Sequence, residues 1–492
     1  MIKSIGAAAV LALSLSAQPA APDAKTVIAA ASKAMGADNL SSITYSGAAV
    51  DVNFLQTRNI DGPWPTRPIT DYTRAIDFTQ PSSRATGATN NPGIQGGPGV
   101  PGVYNQLITP ANSAWAQQLE IYLTPWGFLK GAAANNATVH EQKVDTKTYQ
   151  VVSWSPPQKA PSGAAYRVNG YIDDQNMVER VETWLEHPTL GDMHIESVFR
   201  DYKDFAGVEV PALITQKRAE WPVFEAQISR AIPNPPNIEG LVTPPPPPQG
   251  QGKQDGKGAA PTPGATPPPG ATPAVQSEKL ADGVYRITGS YVSMAVEFKN
   301  YVLVLEGGES EARGLAVIDE TKRLFPNKPV RYVFNSHPHS DHTAGLAPFV
   351  AAGATIITQE NNKKYLEAAL GAPRTLLGDT LAKSNKKPKI ETVAEKRVLK
   401  DSTRTVEFYH ITKMNHSDGM LIAYLPKEKV LFQADFTLPA PGQPANEFVV
   451  ALAANLDRLN LWDFDRYIPV HAPNPDVPWT KADLRKAVGK AD

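Results

Sequence analysis

Cysteine is absent from all 492 residues. Disulfides are therefore excluded, as are thiolate metal ligands and a lipid anchor through an N-terminal cysteine. Large domains fold without disulfides, so the absence is compatible with an exported protein. Net charge is nearly absent too: 48 Lys and Arg against 49 Asp and Glu leave −1. No long basic run occurs, so nothing points to nucleic acid as a partner. Long apolar runs are also missing. Ile5 to Ala17 is apolar or small throughout, but this is too short to span a bilayer. No segment has 18 consecutive apolar residues, so no integral membrane segment is expected. Met1-Ile2-Lys3-Ser4, the apolar stretch and the small residues up to Ala24 read as a secretory signal peptide over residues 1–24. They predict a periplasmic or secreted address.

At 492 residues the chain is too long for one ordinary core. Residues 243–273 contain neither an aromatic nor a large aliphatic side chain and run through repeated Pro, Gly and Ala. Such a segment cannot bury a core and reads as a partly polyproline linker. Fully extended it would reach about 90 Å, so the flanking units need not be rigidly docked. The predicted division is 25–240, a linker over 241–277, and 278–492. The first unit opens with an amphipathic helix, with Val27, Ile28, Ala31 and Met35 on one face and Gly36 as its stop. Strand runs follow at Ile43–Tyr45, Tyr149–Val152, Tyr166–Val168 and Val181–Leu185, and Ile195, Ser197 and Phe199 alternate with polar neighbours. These predict an antiparallel meander. Residues 87–104, rich in Gly, Pro and Asn, read as a long exposed loop.

The densest chemistry lies at His337-Pro338-His339-Ser340-Asp341-His342. Three imidazoles and a carboxylate within six residues are hard to explain as packing, because such groups rarely bury without partners. They are the ligand types that borderline divalent metals take. Val330 to Ser336 before them reads as a strand and Thr343 to Val350 as a helix, which puts the cluster on a strand-to-helix loop. His416, Asp435 and His471 each end or follow a strand-like run. Their strands could converge on one site. His410 alternates with Val406 and Phe408 as an inward-facing residue, either supporting the site or filling the core. His140, His187 and His194 are isolated and read as ordinary surface or strand residues.

The His-x-His-x-Asp-His core, followed by His416, Asp435 and His471, resembles the metallo-β-lactamase superfamily in its glyoxalase II-like binuclear form. The resemblance covers residues 278–490. It implies an α/β fold: an αββα sandwich, here preceded by a mainly antiparallel β domain. It also implies two divalent metal ions, with zinc as the best fit to an all-His/Asp set and iron or manganese as alternatives. His337, His339 and His416 would hold one ion, Asp341, His342 and His471 the other, and Asp435 would bridge them. The implied chemistry is hydrolysis by a metal-bridging hydroxide, oriented by Asp341 as catalytic residue. The substrate would be a small-molecule ester, lactone, thioester, β-lactam or phosphoester. The alternatives are an iron-dependent oxidoreductase on the same scaffold and a non-enzymatic envelope-binding protein. Ala434 before Asp435, and Val470 and Ala472 around His471, depart from the family's frequent glycines.

In the first unit, a helix followed by a meander, with Asp201 to Val208 ahead of Pro211, resembles the half-barrel of periplasmic lipoprotein carriers. That resemblance implies a concave apolar face for a lipophilic ligand or a protein partner. The alternative is a module that aids folding. Arg374, Lys383, Lys386 and Lys387 within 371–389 make a basic loop, read either as an attractor for an anionic substrate or as a solvated segment.

Overall fold

The computed structural model describes residues 23–62, 64–93, 97–109, 114–243, 274–439, 443–472 and 479–490. The expected signal peptide, nearly all of it, and most of the linker lie outside these residues. The N-terminal helix runs Ala24–Ala34, capped by the Asp23 side chain, which accepts from the Thr26 amide. The chain leaves it through Gly36 at φ 64°, where a Cβ would stand 1.9 Å from the Gly207 carbonyl oxygen. An eleven-stranded sheet follows. Its order is Gly97–Ile108, Ser82–Gly93, Thr66–Asp77, Ser42–Val52, Trp221–Pro233, Val208–Arg218, Gly191–Phe205, Val178–His187, Val168–Ile172, Lys147–Trp154, Thr138–Val144. Every neighbouring pair is antiparallel.

Two expectations for this part need correction. Residues 87–104 are not a loop but mostly the hairpin Ser82–Gly93 and Gly97–Ile108 at the edge of the sheet. An edge strand tolerates proline such as Pro101, because an amide facing outward needs no ladder partner. Gly87 marks a close strand approach: a Cβ there would stand 2.4 Å from the Ile69 side chain. Two short helices, Trp115–Tyr122 and Pro125–Ala134, also interrupt the meander. The second is capped by the Thr124 hydroxyl with proline at its start, and it buries Trp126, Phe128 and Leu129.

The C-terminal region holds a seven-stranded and a six-stranded sheet. The first orders Gln276–Ala281, Val284–Thr288, Ser293–Glu297, Val302–Leu305, Val330–Phe334, Thr355–Gln359 and Lys389–Val393. The second orders Lys396–Lys400, Thr405–His410, Leu421–Leu425, Val430–Gln433, Arg466–Pro469 and Trp479–Thr480. Strand Val302–Leu305 shows why they stack. Val302 and Val304 join one apolar cluster, Leu303 and Leu305 the other, so both faces are buried. Helices Glu311–Leu324 and Leu346–Ala352 cover the outer face of the seven-stranded sheet. Helices Glu447–Leu459 and Lys481–Ala487 cover the outer face of the six-stranded one. The result is the αββα order. The helix expected from Thr343 is split into Ser340–Thr343 and Leu346–Ala352. At the break the Gly345 amide donates to Gly308 O at 2.9 Å, and a Cβ would stand 2.4 Å from two carbonyl oxygens.

The two parts are packed together, not loosely tethered. One apolar cluster takes in Trp64, Ile195 and Phe199 from the N-terminal sheet and Val317, Leu346 and Phe349 from the helices of the C-terminal region. Trp221 lies against Tyr365, ring centroids 6.4 Å apart. Arg374 is neither a solvated cation nor a substrate attractor. It is buried, its Nε donates to Asp379 at 2.7 Å, and its Nη1 donates to the Thr189 carbonyl of the N-terminal part at 3.3 Å. Among the described residues no helix is long and apolar enough to cross a membrane.

Candidate metal centre

Four strand ends deliver the polar side chains. Strand Val330–Phe334 leads into the loop with His337, His339, Asp341 and His342. His416 lies before strand Leu421–Leu425, Asp435 just beyond Val430–Gln433, and His471 just beyond Arg466–Pro469. All seven converge. His337 Nε2 is 3.0 Å from His339 Nδ1 and 3.1 Å from His416 Nε2. His342 Nε2 is 3.2 Å from His471 Nε2 and 3.3 Å from Asp341 Oδ2. Asp435 lies between the groups: its Oδ2 is 3.2 Å from His337 Nε2, 3.4 Å from His342 Nε2 and 3.3 Å from His416 Nε2, and its Oδ1 is 2.8 Å from His471 Nε2.

This arrangement suits cations better than hydrogen bonds. Asp435 Oδ2 is buried and makes no hydrogen bond, although three imidazole nitrogens face it. Ligand atoms around a tetrahedral zinc lie about 3.3 Å apart, given metal–nitrogen bonds of about 2.0–2.1 Å. Three triads bring one ligand atom each within 4.8 Å of one another: His337, His339 and His416; Asp341, His342 and His471; and His337, His342 and Asp435. Titration points the same way. Burial holds His337 well below its usual range, and burial with the neighbouring His416 pushes His339 down to about 3. Burial raises Asp435, but the surrounding imidazoles, His416 first, outweigh it and hold the carboxyl well below its usual range. Neutral imidazole and ionised carboxylate are the ligating forms. Burial opposes charge on His342, yet Asp341 and Asp435 raise it well above the usual histidine range. The pair of carboxylates thus gathers a positive charge at the point where a cation would sit.

Residues 286–490 match the model of the Metallo-beta-lactamase superfamily. This stretch contains all seven converging side chains. Residues 286–490 belong to that superfamily. A 2,4-dinitroanisole O-demethylase subunit alpha from Nocardioides sp. (strain JS1661) is 25% identical over 199 residues, 39% of this chain and 54% of that protein. The chain therefore matches about half the length of that curated relative. Among solved structures, the DIM-1 metallo-beta-lactamase is 15% identical with a TM-score of 0.35, covering 44% of this chain and 96% of that one. A metallo-beta-lactamase from Pontibacter korlensis is 17% identical with a TM-score of 0.33, covering 44% and 98%.

Several residues around the candidate metal centre escaped the sequence reading. Tyr291 donates to Asp341 Oδ2 at 2.9 Å and stands edge-on to His471. Glu306, wholly buried, accepts from the Ser336 amide at 2.8 Å and faces His342 Nδ1 at 3.6 Å. Its position after the apolar strand Val302–Leu305 was a signal: a carboxylate in a buried strand end needs a reason. Gln56 and Thr57 come from the N-terminal part and carried no sequence signal. Gln56 Nε2 donates to Asp341 Oδ1 at 2.8 Å, and Thr57 O faces His339 Nε2 at 3.1 Å. His410 does not line the centre. Its Nε2 bonds the Asp418 carbonyl at 2.9 Å and so braces the loop that carries His416. Of the other histidines, His140 is exposed on an edge strand. His187, half-buried, accepts from the Thr189 and Leu190 amides, and His194 stacks on Trp184 between Glu182 and Glu220.

Proposed function

We propose that the chain is an exported metal-dependent hydrolase that binds two divalent ions, zinc first among them, and cleaves a small-molecule ester, lactone, thioester, β-lactam or phosphoester. The observation that carries this reading is the convergence of seven ligand-type side chains, with three imidazole nitrogens facing the buried Asp435 Oδ2, which lacks a hydrogen bond. Bound there, divalent ions supply an activated water at neutral pH and polarise the acyl or phosphoryl oxygen.

The chain's own residues do the rest. His337, His339 and His416 would hold the inner ion, and Asp341, His342 and His471 the outer, with Asp435 between. Asp341 is held on both oxygens, by Gln56 and by Tyr291. Such a clamp fixes it in one orientation, as catalysis requires of a group that positions a reacting atom. His337, His339 and His342 are buried, whereas the side chains of Asp341 and His471 keep 26% and 32% of their exposure. Substrate would therefore reach the centre from the Asp341–His471 side, beside Tyr291.

The test is a turnover screen on the full chain with defined zinc content. It uses chromogenic β-lactam, lactone, thioester and phosphodiester compounds, with 2,4-dinitroanisole added because of the curated relative's name. Elemental analysis should find about two ions per chain; fewer than one after reconstitution would sink the reading. Iron in protein purified from its native host, with redox turnover and no hydrolysis, would favour the oxidoreductase alternative. The address is tested by fractionation: the mature chain should be found outside the cytoplasm.

A further inference from the structure

We propose that Gln56–Arg58 is a positioning element of the metal centre, supplied from outside the family domain; this rests on the metal-centre reading above. The three residues link two of the four ligand-bearing segments. Thr57 O accepts from His339 Nε2 at 3.1 Å. That bond commits the proton to Nε2 and turns Nδ1 toward His337, 3.0 Å away. Gln56 Nε2 donates to Asp341 Oδ1 at 2.8 Å. On the other side the Asp418 amide donates to Arg58 O at 2.8 Å, and the Arg58 guanidinium reaches Asp418 at 2.7 Å and Asn415 at 3.2 Å, flanking His416. One short segment of the N-terminal part therefore touches the loops that carry His337, His339, Asp341 and His416.

The segment is held firmly enough to act as a template. Leu55 adopts φ 60°, left-handed for a bulky residue, and is wholly buried. That conformation is strained and persists only where surroundings over-determine it. Phe54 packs on Trp64 at 5.3 Å and edge-on to His187 at 6.1 Å, and Thr57 is buried. A hydrogen bond to the non-coordinating nitrogen of a metal-binding imidazole sets its tautomer and ring direction, and partners of this kind change metal affinity roughly 10–100-fold. Here that partner is a backbone carbonyl from a different sheet system.

The experiment uses the full-length, metal-free chain. Zn2+ alone is titrated in competition with a chromophoric chelator into wild type, Gln56→Leu and Gln56→Asn. Gln56→Asn keeps the polarity and shortens the reach, which guards against a folding failure of the apolar variant. Both variants should lose roughly 10–100-fold in affinity for the weaker ion, keep the stronger within about threefold, and show altered Co2+ spectra with unchanged circular dichroism. Histidine 15N shifts of the metal-free wild type should show His339 protonated on Nε2. Unchanged affinities in folded Gln56→Asn, or His339 protonated on Nδ1, would overturn the proposal. A wild type that binds fewer than one ion would overturn the metal-centre reading instead, and the tautomer measurement would still judge the Thr57 contact.

Discussion

The N-terminal sheet and the C-terminal sandwich bury their strands differently. Strand Gly191–Phe205 alternates buried and partly exposed residues through Phe199, as a sheet with one packed face does. Strand Val302–Leu305 is buried at all four positions and divides its side chains between two cores. Strand Val330–Phe334 likewise divides its inner residues, Val333 in one core and Tyr332 and Phe334 in the other, and the loop after it is buried from Asn335 to His339. His337, His339 and His342 are buried there and must satisfy one another or a ligand. A one-sided sheet can spread its polar residues over water and needs no such concentration. The candidate metal centre thus belongs to the doubly buried system, and the N-terminal part reaches it through the loop that carries Gln56 and Thr57.

The sharpest way to break this contrast is Asp341→Ala. It should abolish hydrolysis, by about 10²-fold or more, and weaken the outer ion while circular dichroism stays that of wild type. Near-normal turnover in a folded mutant would rule out the binuclear arrangement. Second, burial on both faces should be felt in stability. Phe334→Ala, which removes a ring stacked on Phe408 at 5.2 Å, should cost about 3–5 kcal/mol in denaturant unfolding, against under about 0.5 kcal/mol for exposed Arg200→Ala. Third, Arg374→Ala should cost about 3–5 kcal/mol, because it strands the buried Asp379 carboxylate. Limited proteolysis should cut first within residues 243–273, yet the two fragments should co-elute on gel filtration. Separate elution would show that the contacts across the two parts do not hold them.

The smallest effect concerns Glu182. Burial raises its carboxyl, but hydrogen bonds from His194, Asn169 and Tyr171 outweigh this and lower it from 4.5 to about 2. The folded carboxylate binds its proton less tightly than the unfolded one, so its contribution is complete above about pH 4.5 and fades as pH falls toward 2. Glu182→Gln should flatten acid unfolding in that window; an unchanged acid limb would show that the network contributes nothing.

The seven converging residues were legible because four of them crowd into 337–342 and the other three lie close to apolar strand runs. Tyr291 and Gln56 were not, since single polar residues acquire a role only from their neighbours in space; Glu306 carried a signal only as a carboxylate closing a buried strand. Composition misled at 87–104, where Gly and Pro count as loop formers but an edge hairpin also accepts them. The helix at Pro125 was readable from the Thr124-Pro125 pair, a capping hydroxyl followed by a first-turn proline. The docking of the two parts was illegible for another reason. A linker's composition describes the linker, and says nothing of surfaces such as the one Arg374 seals.

The Thr57 carbonyl has a consequence for how such chains can diverge. Every residue type carries that carbonyl, so the side chain at position 57 is constrained only by the buried space it must fit. Spacing is held more tightly. Adding one residue between Val52 and Arg58 would shift the chain by up to one Cα–Cα step, about 3.8 Å, farther than a hydrogen bond tolerates. What inheritance must preserve in this loop is its length, and an insertion there should do damage that no nearby side-chain substitution reproduces.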